Sequence, residues 1–170
     1  GLYFFGLQQK DNPVLLIQQR ELYSPGLRFF RQKEKGRVDY DLESTLQFGT
    51  SRDVITRTQD LEHFAYYHHA ETGYTFLLPW TTRFSLEYDY SSGDGNARDG
   101  KNGTFDSLFG ESVVDFGPTS IYSAFARTNV NTPGARLQIK PDKSIDANLS
   151  YRTFWLVSNT APWVGASGLR

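Results

Sequence analysis

The chain has 170 residues, of which 38% are hydrophobic and 22% charged, and its 18 Lys and Arg nearly balance 19 Asp and Glu for a net charge of -1. That balance offers no field for nucleic acid, and the lack of cysteine removes disulfide frameworks, thiolate metal sites and cysteine nucleophiles. No apolar run approaches the roughly 20 residues of a membrane-spanning helix, which excludes a helical membrane protein but leaves a barrel open.

Taken in chain order, the residues alternate in polarity with period two, and helical spacing is poorly supported. Weak strands are expected over Leu2–Gln9 and Ser24–Gln32. Arg37–Phe48 is the clearest: Arg37, Asp39, Asp41, Glu43, Thr45 and Gln47 oppose Val38, Tyr40, Leu42, Ser44, Leu46 and Phe48. Successive strand residues point to opposite faces, so this predicts a two-faced strand, one far longer than the usual ~5–6 residues. Leu61–Phe76 follows, with Phe64, Tyr66, Ala70, Tyr74 and Phe76 opposing His63, Tyr67, His69, Glu71 and Thr75. In Thr82–Tyr90, Phe84, Leu86, Tyr88 and Tyr90 oppose Arg83, Ser85, Glu87 and Asp89. Ala135–Lys140 and Ser144–Trp155 complete a set of about seven strands with no convincing helix.

The connections alternate as well. Glu34–Gly36, Leu77–Trp80 and Pro141–Lys143 are tight turns, whereas Lys10–Tyr23, Gly49–Thr58 and a very long stretch over 91–131 are loops. One rim carrying turns and the other loops is the habit of outer-membrane barrels, whose long loops are extracellular. A soluble β-sandwich, such as a carbohydrate-binding module, shares the single apolar face. Strand length, aromatics at the stripe ends (Tyr40 and Trp80; Phe48, Tyr88, Tyr90 and Trp155) and ions of both signs at mid-strand favour the barrel. The expected fold is therefore all-β, a partial antiparallel transmembrane β-barrel occupying residues 1–170 as one domain. Open edges are untenable in hydrocarbon, so further strands must complete it. The opening Gly1-Leu2-Tyr3 and the loop-like close at Arg170 likewise suggest an internal piece of a longer protein.

The most distinctive stretch is Tyr90, Ser92-Gly93-Asp94, Gly103-Thr104-Phe105 and Leu108-Phe109. With Tyr40-Asp41-Leu42-Glu43, Gln47-Phe48-Gly49, Ala70–Phe76, Arg127-Thr128-Asn129 and Leu137–Pro141, it resembles the outer-membrane alginate export family of large single-chain β-barrel porins. The resemblance covers roughly residues 20–158. It implies a bacterial outer-membrane location and export of an anionic polysaccharide through an arginine-rich pore. It also implies lipid and possible periplasmic export proteins as partners, without a cofactor. A general or small-anion porin of the same architecture is the alternative.

The lumenal cations expected from the face assignment are Arg28, Arg37, Arg83, Arg136, Lys140 and Arg152, against Asp39, Asp41, Glu43, Glu71, Glu87, Asp89 and Asp146. Six against seven does not make a polyanion funnel. The arginines either bind sugar carboxylates or pair with neighbouring acids; Arg83 with Glu87 or Asp89, and Arg152 with Asp146, share faces. The loop acids Asp94, Asp99 and Asp106, with Asn96, are possible oxygen ligands, but an EF-hand fails because its glycine position holds Asp99. Phe105, Leu108 and Phe109 are expected to tuck this loop onto the barrel mouth or into the lumen as a gate. His68 and His69 point to opposite faces and cannot clasp one metal. Asp41 and Glu43 share a face, yet no Gly-x-Ser-x-Gly or His-Glu-x-x-His motif accompanies them, and no enzymatic activity is expected.

Overall fold

A computed structural model describes residues 1–12, 18–52, 59–108, 126–161, 164–165 and 168–169. Among them there is no helix. The strands in chain order are β1 (Leu2–Gln9), β2 (Arg20–Arg31), β3 (Val38–Ser51), β4 (Leu61–Thr75), β5 (Thr81–Ser91), β6 (Lys101–Asn102), β7 (Val130–Lys140), β8 (Ala147–Arg152) and β9 (Trp155–Leu156), followed by the short pair β10 (Val164–Gly165) and β11 (Gly168–Leu169). The main path β1-β2-β3-β4-β5-β7-β8 pairs sequential neighbours antiparallel, and β1 and β8 lie at its open edges.

The strand ends joined by the short connections 32–37, 76–80 and 141–146 lie at one rim, and the strand ends that flank 10–19, 52–60 and 92–129 lie at the other. The sheet is a single layer. Leu42, Leu46, Phe64, Phe84, Leu86 and Leu149 stand on its outer face, and among the described residues no second layer covers them; all are exposed. A sandwich would have covered this stripe with a second sheet. The opposite face buries Asp39, Gln47, His63, Arg83, Glu87 and Asp89, which are polar or charged. Here a polar face is the covered one, the inverse of a soluble domain and the arrangement of a partial membrane barrel.

Several boundaries differ from expectation, each for a local reason. β3 runs on to Ser51 because Gly49, at φ 143°, keeps pairing where a side chain would strike the Glu21 carbonyl. β2 accordingly begins at Arg20, shortening the expected Lys10–Tyr23 loop. β7 begins at Val130 and not Ala135, because Pro133 and Gly134 mask alternation without stopping the strand. β8 starts at Ala147 and halts at Arg152, then resumes in the same register as β9. The Thr153 amide donates to the Pro133 carbonyl at 3.1 Å, but proline has no N–H to return, and the ladder lapses there. Within the expected 91–131 loop, β6 adds a short parallel pairing to β4 at Glu62 and His63.

Candidate functional site: the polar face and its loop

Alternation places Arg28, Asp39, Asp41, Glu43, Glu71, Arg83, Glu87, Asp89, Arg136 and Arg152 on one face, and cross-strand register decides their partners. Arg83 on β5 reaches over Gly73 of β4 to Asp39 on β3, and also meets Glu71 at 2.6 Å. Only a glycine leaves that path open, since a Cβ at 73 would overlap the guanidinium. Arg152 on β8 spans β7 to Glu87 at 2.5 Å and Asp89 at 2.6 Å on β5, and Arg136 joins Glu87 at 3.1 Å. Asp89 also accepts the Tyr67 hydroxyl at 2.7 Å and lies 2.7 Å from His69 Nδ1. Arg28 forks onto Asp41 through Nε, at 2.8 Å, and Nη2.

These pairings correct the expected partners. Arg83 does not meet Glu87 or Asp89, and Arg152 does not meet Asp146. Same-face neighbours along a strand stand about 7 Å apart, whereas directly opposed residues on adjacent strands stand about 5 Å apart, so ion pairs form across strands. Asp146 instead pairs with Lys140 at 2.6 Å and accepts from Gln138 at 2.9 Å. Lys140 first, then Gln138, holds this turn carboxylate below its ordinary range. Arg37 belongs to the β2–β3 turn, paired with Glu34 at 3.1 Å.

The long loop returns to the polar face. The Phe105 amide donates to the Ser92 carbonyl at 3.0 Å, and its ring stacks on Tyr67 at a centroid separation of 5.5 Å. Phe105, Tyr67 and Ala65 form a small buried cluster. Beside it, Gln47 Nε2 donates to the Asp106 carbonyl at 3.0 Å, and the Asp106 amide donates to Gln47 Oε1 at 2.9 Å. A side-chain amide thus imitates a strand neighbour. The Asp106 carboxylate also pairs with Arg20 and accepts the Leu108 amide at 2.7 Å. Leu108 sits at φ 54°; Phe109 lies outside the described residues.

Gln47→Leu removes both amide bonds while keeping comparable bulk. It is expected to raise hydrogen exchange at the Phe105 and Asp106 amides about tenfold or more, the consequence of losing roughly 1–3 kcal/mol of local restraint. Unchanged exchange would mean that the Arg20 pair and the Tyr67 stack hold the loop alone.

Other candidates serve local structure. Asp94 accepts at its carbonyl from Ser158 Oγ and Thr160 Oγ1, both at 2.6 Å, and Asp99 Oδ1 accepts the Lys101 amide at 2.9 Å. A cavity of about 680 Å³ lined by Phe48, Glu62, Phe64, Asp94, Asp99 and Lys101 opens beside this loop. Among the described residues no group of three or more side chains is placed to hold a metal. The histidines are separate: His68 meets Ser44 at 3.0 Å, His69 meets Asp89, and His63 lies between Ser51 and Gln47 at 3.1 and 2.9 Å. Asp41 is engaged by Arg28 and Glu43 by the Tyr3 hydroxyl. Tyr3, Arg20 and Gln47 were not singled out from the sequence.

The family model described as Alginate export matches residues 1–168. No curated protein and no solved structure matches the chain.

Proposed function

Because the chain belongs to the alginate export family, a family of outer-membrane polysaccharide export channels, we propose that it forms part of the wall of such a channel. Further strands close the barrel, since β1 and β8 cannot present unpaired backbone to lipid. The polymer, alginate-like and anionic, crosses the bacterial outer membrane by passive diffusion along a water-filled lumen. The rim at which β5 ends and β7 begins faces outside, and the turn rim faces the periplasm and any export partners.

The observation that carries this reading is the single-layer sheet with an uncovered apolar face and a covered ionic one. Arg28, Arg83, Arg136, Lys140, Arg152, Asp41, Glu43, Glu87 and Asp89 line the lumen, and 94–108 forms a restriction across it. The reading is tested with the full-length protein in planar bilayers. Discrete ion-current steps are expected, and a water-soluble protein without current would contradict it.

One observation favours a less anion-selective channel of the same type: Arg28, Arg83, Arg136, Lys140 and Arg152 are all paired with carboxylates. Liposome swelling separates the two. Uronate oligomers entering far faster than neutral sugars of equal size support polyanion export; equal rates support the general channel.

A further inference from the structure

Two largely exposed phenyl rings stand on the face that carries the ion pairs. Phe30 and Phe5 point to that face, opposite Asp41 and Ser24; Phe30, on the doubly paired β2, is 60% exposed, and Phe5 stands on the edge strand β1. Between them lie Arg28 and Tyr3. The Arg28 guanidinium sits over the Phe30 ring, 5.6 Å from its centroid. The Tyr3 ring lies flat across β2, because Gly26 has no side chain in its way. Its hydroxyl reaches past β2 to Glu43 and to Thr45, at 2.6 Å, on β3. Phe5 follows, its centroid 5.2 Å from that of Tyr3. Counted along β2, the planar groups fall at Phe30, Arg28, Gly26 (covered by Tyr3) and Ser24 (opposite Phe5). The Tyr3 and Phe5 centroids are spaced on the scale of one sugar ring with its linkage.

We infer that the β1–β2 wall is a binding track for a pyranose chain, gripped by stacking its ring faces on Phe30, Tyr3 and Phe5, with no requirement for a sugar carboxylate. A pyranose is amphipathic in the way this wall is: its C–H-lined faces suit aromatic planes, and its equatorial hydroxyls suit flanking charged acceptors and donors. Asp41, Glu43 and Arg28 share this face with the rings, and the lone pairs and N–H groups left over from their mutual bonds suit those hydroxyls. Arg28 is already engaged by Asp41, and Glu43 adds a further negative charge, so a uronate gains nothing here from its charge. The track rests on the channel reading and specifies its solute class.

The test is block of single-channel current by a neutral glucose hexamer, applied to the full-length protein in planar bilayers. The wild type is expected to show concentration-dependent block. Phe5→Ala with Phe30→Ala should weaken it about tenfold with no loss of open-channel current. Phe30→Trp should retain it. Phe30→Leu keeps apolar bulk but not the plane, so it should weaken block, by less than the double variant, even if the alanine variant assembles poorly. Gly26→Val, which displaces Tyr3, should also weaken block. Block that is equal in wild type, Phe30→Leu and the double alanine variant would overturn the track, as would block seen only with uronate hexamers. Absence of any current would instead contradict the channel reading itself.

Discussion

Replacing Arg83 by methionine is expected to cost about 3–5 kcal/mol of folding free energy, the usual penalty for removing one partner of a buried ion pair. The Arg83 side chain is only 4% exposed and ties three strands, with Asp39 and Glu71 as its carboxylate partners. The substitution keeps bulk but leaves both carboxylates facing each other; Lys33, 3.8 Å from Glu71, is too exposed to replace it. Urea unfolding of the full-length protein in detergent micelles should show the loss. The double substitution Arg83→Met with Asp39→Leu should lose less than the sum of the single ones, because one stranded charge disappears with its partner. Strict additivity would mean that the two groups do not interact.

Leu86→Lys should cost about 2–4 kcal/mol, while Tyr90→Lys should cost about 0–1 kcal/mol, the depth dependence of a charge on a lipid-facing strand. Both residues stand on the apolar face of β5 (Thr81–Ser91), Leu86 at its middle and Tyr90 near the loop rim. Leu86 is 53% exposed, with no layer over it among the described residues, so packing there would not penalise the lysine. The gradient therefore separates lipid from water as the medium outside this face. The same unfolding measurement reads it, and equal small costs at both sites would contradict a hydrocarbon surrounding.

The two-faced strands were legible because period-two alternation survives any register. Leu42 against Asp41, or Leu86 against Glu87, declares its face without knowledge of a neighbour. Partnership was not legible, because it depends on register: Arg83 finds Asp39 two strands away across Gly73, which spacing along one strand cannot reveal. The start of β7 was hidden by Pro133-Gly134, residues that ordinarily punctuate strands. The tucking of Phe105 followed from its apolarity beside a Gly- and Asp-rich loop, but its receiver did not. Gln47 reads as one more polar position on β3 until the loop backbone is set against it. A signal for Tyr3 did exist. An isolated glycine inside a strand, such as Gly26, commonly marks close approach by another group.

The most direct test of the lipid-facing and water-facing assignment uses single cysteines at Leu27, Arg28, Phe29 and Phe30, in a background without other cysteines; these 170 residues have none. Spin labels there, on the full-length protein in lipid bilayers, report collisions with oxygen, which concentrates in hydrocarbon, and with a water-soluble nickel chelate. Leu27 and Phe29 should respond to oxygen, and Arg28 and Phe30 to nickel, alternating residue by residue. Nickel access at all four positions, or access to neither reagent at Leu27 and Phe29, would contradict a sheet with lipid on one side and a wet channel on the other.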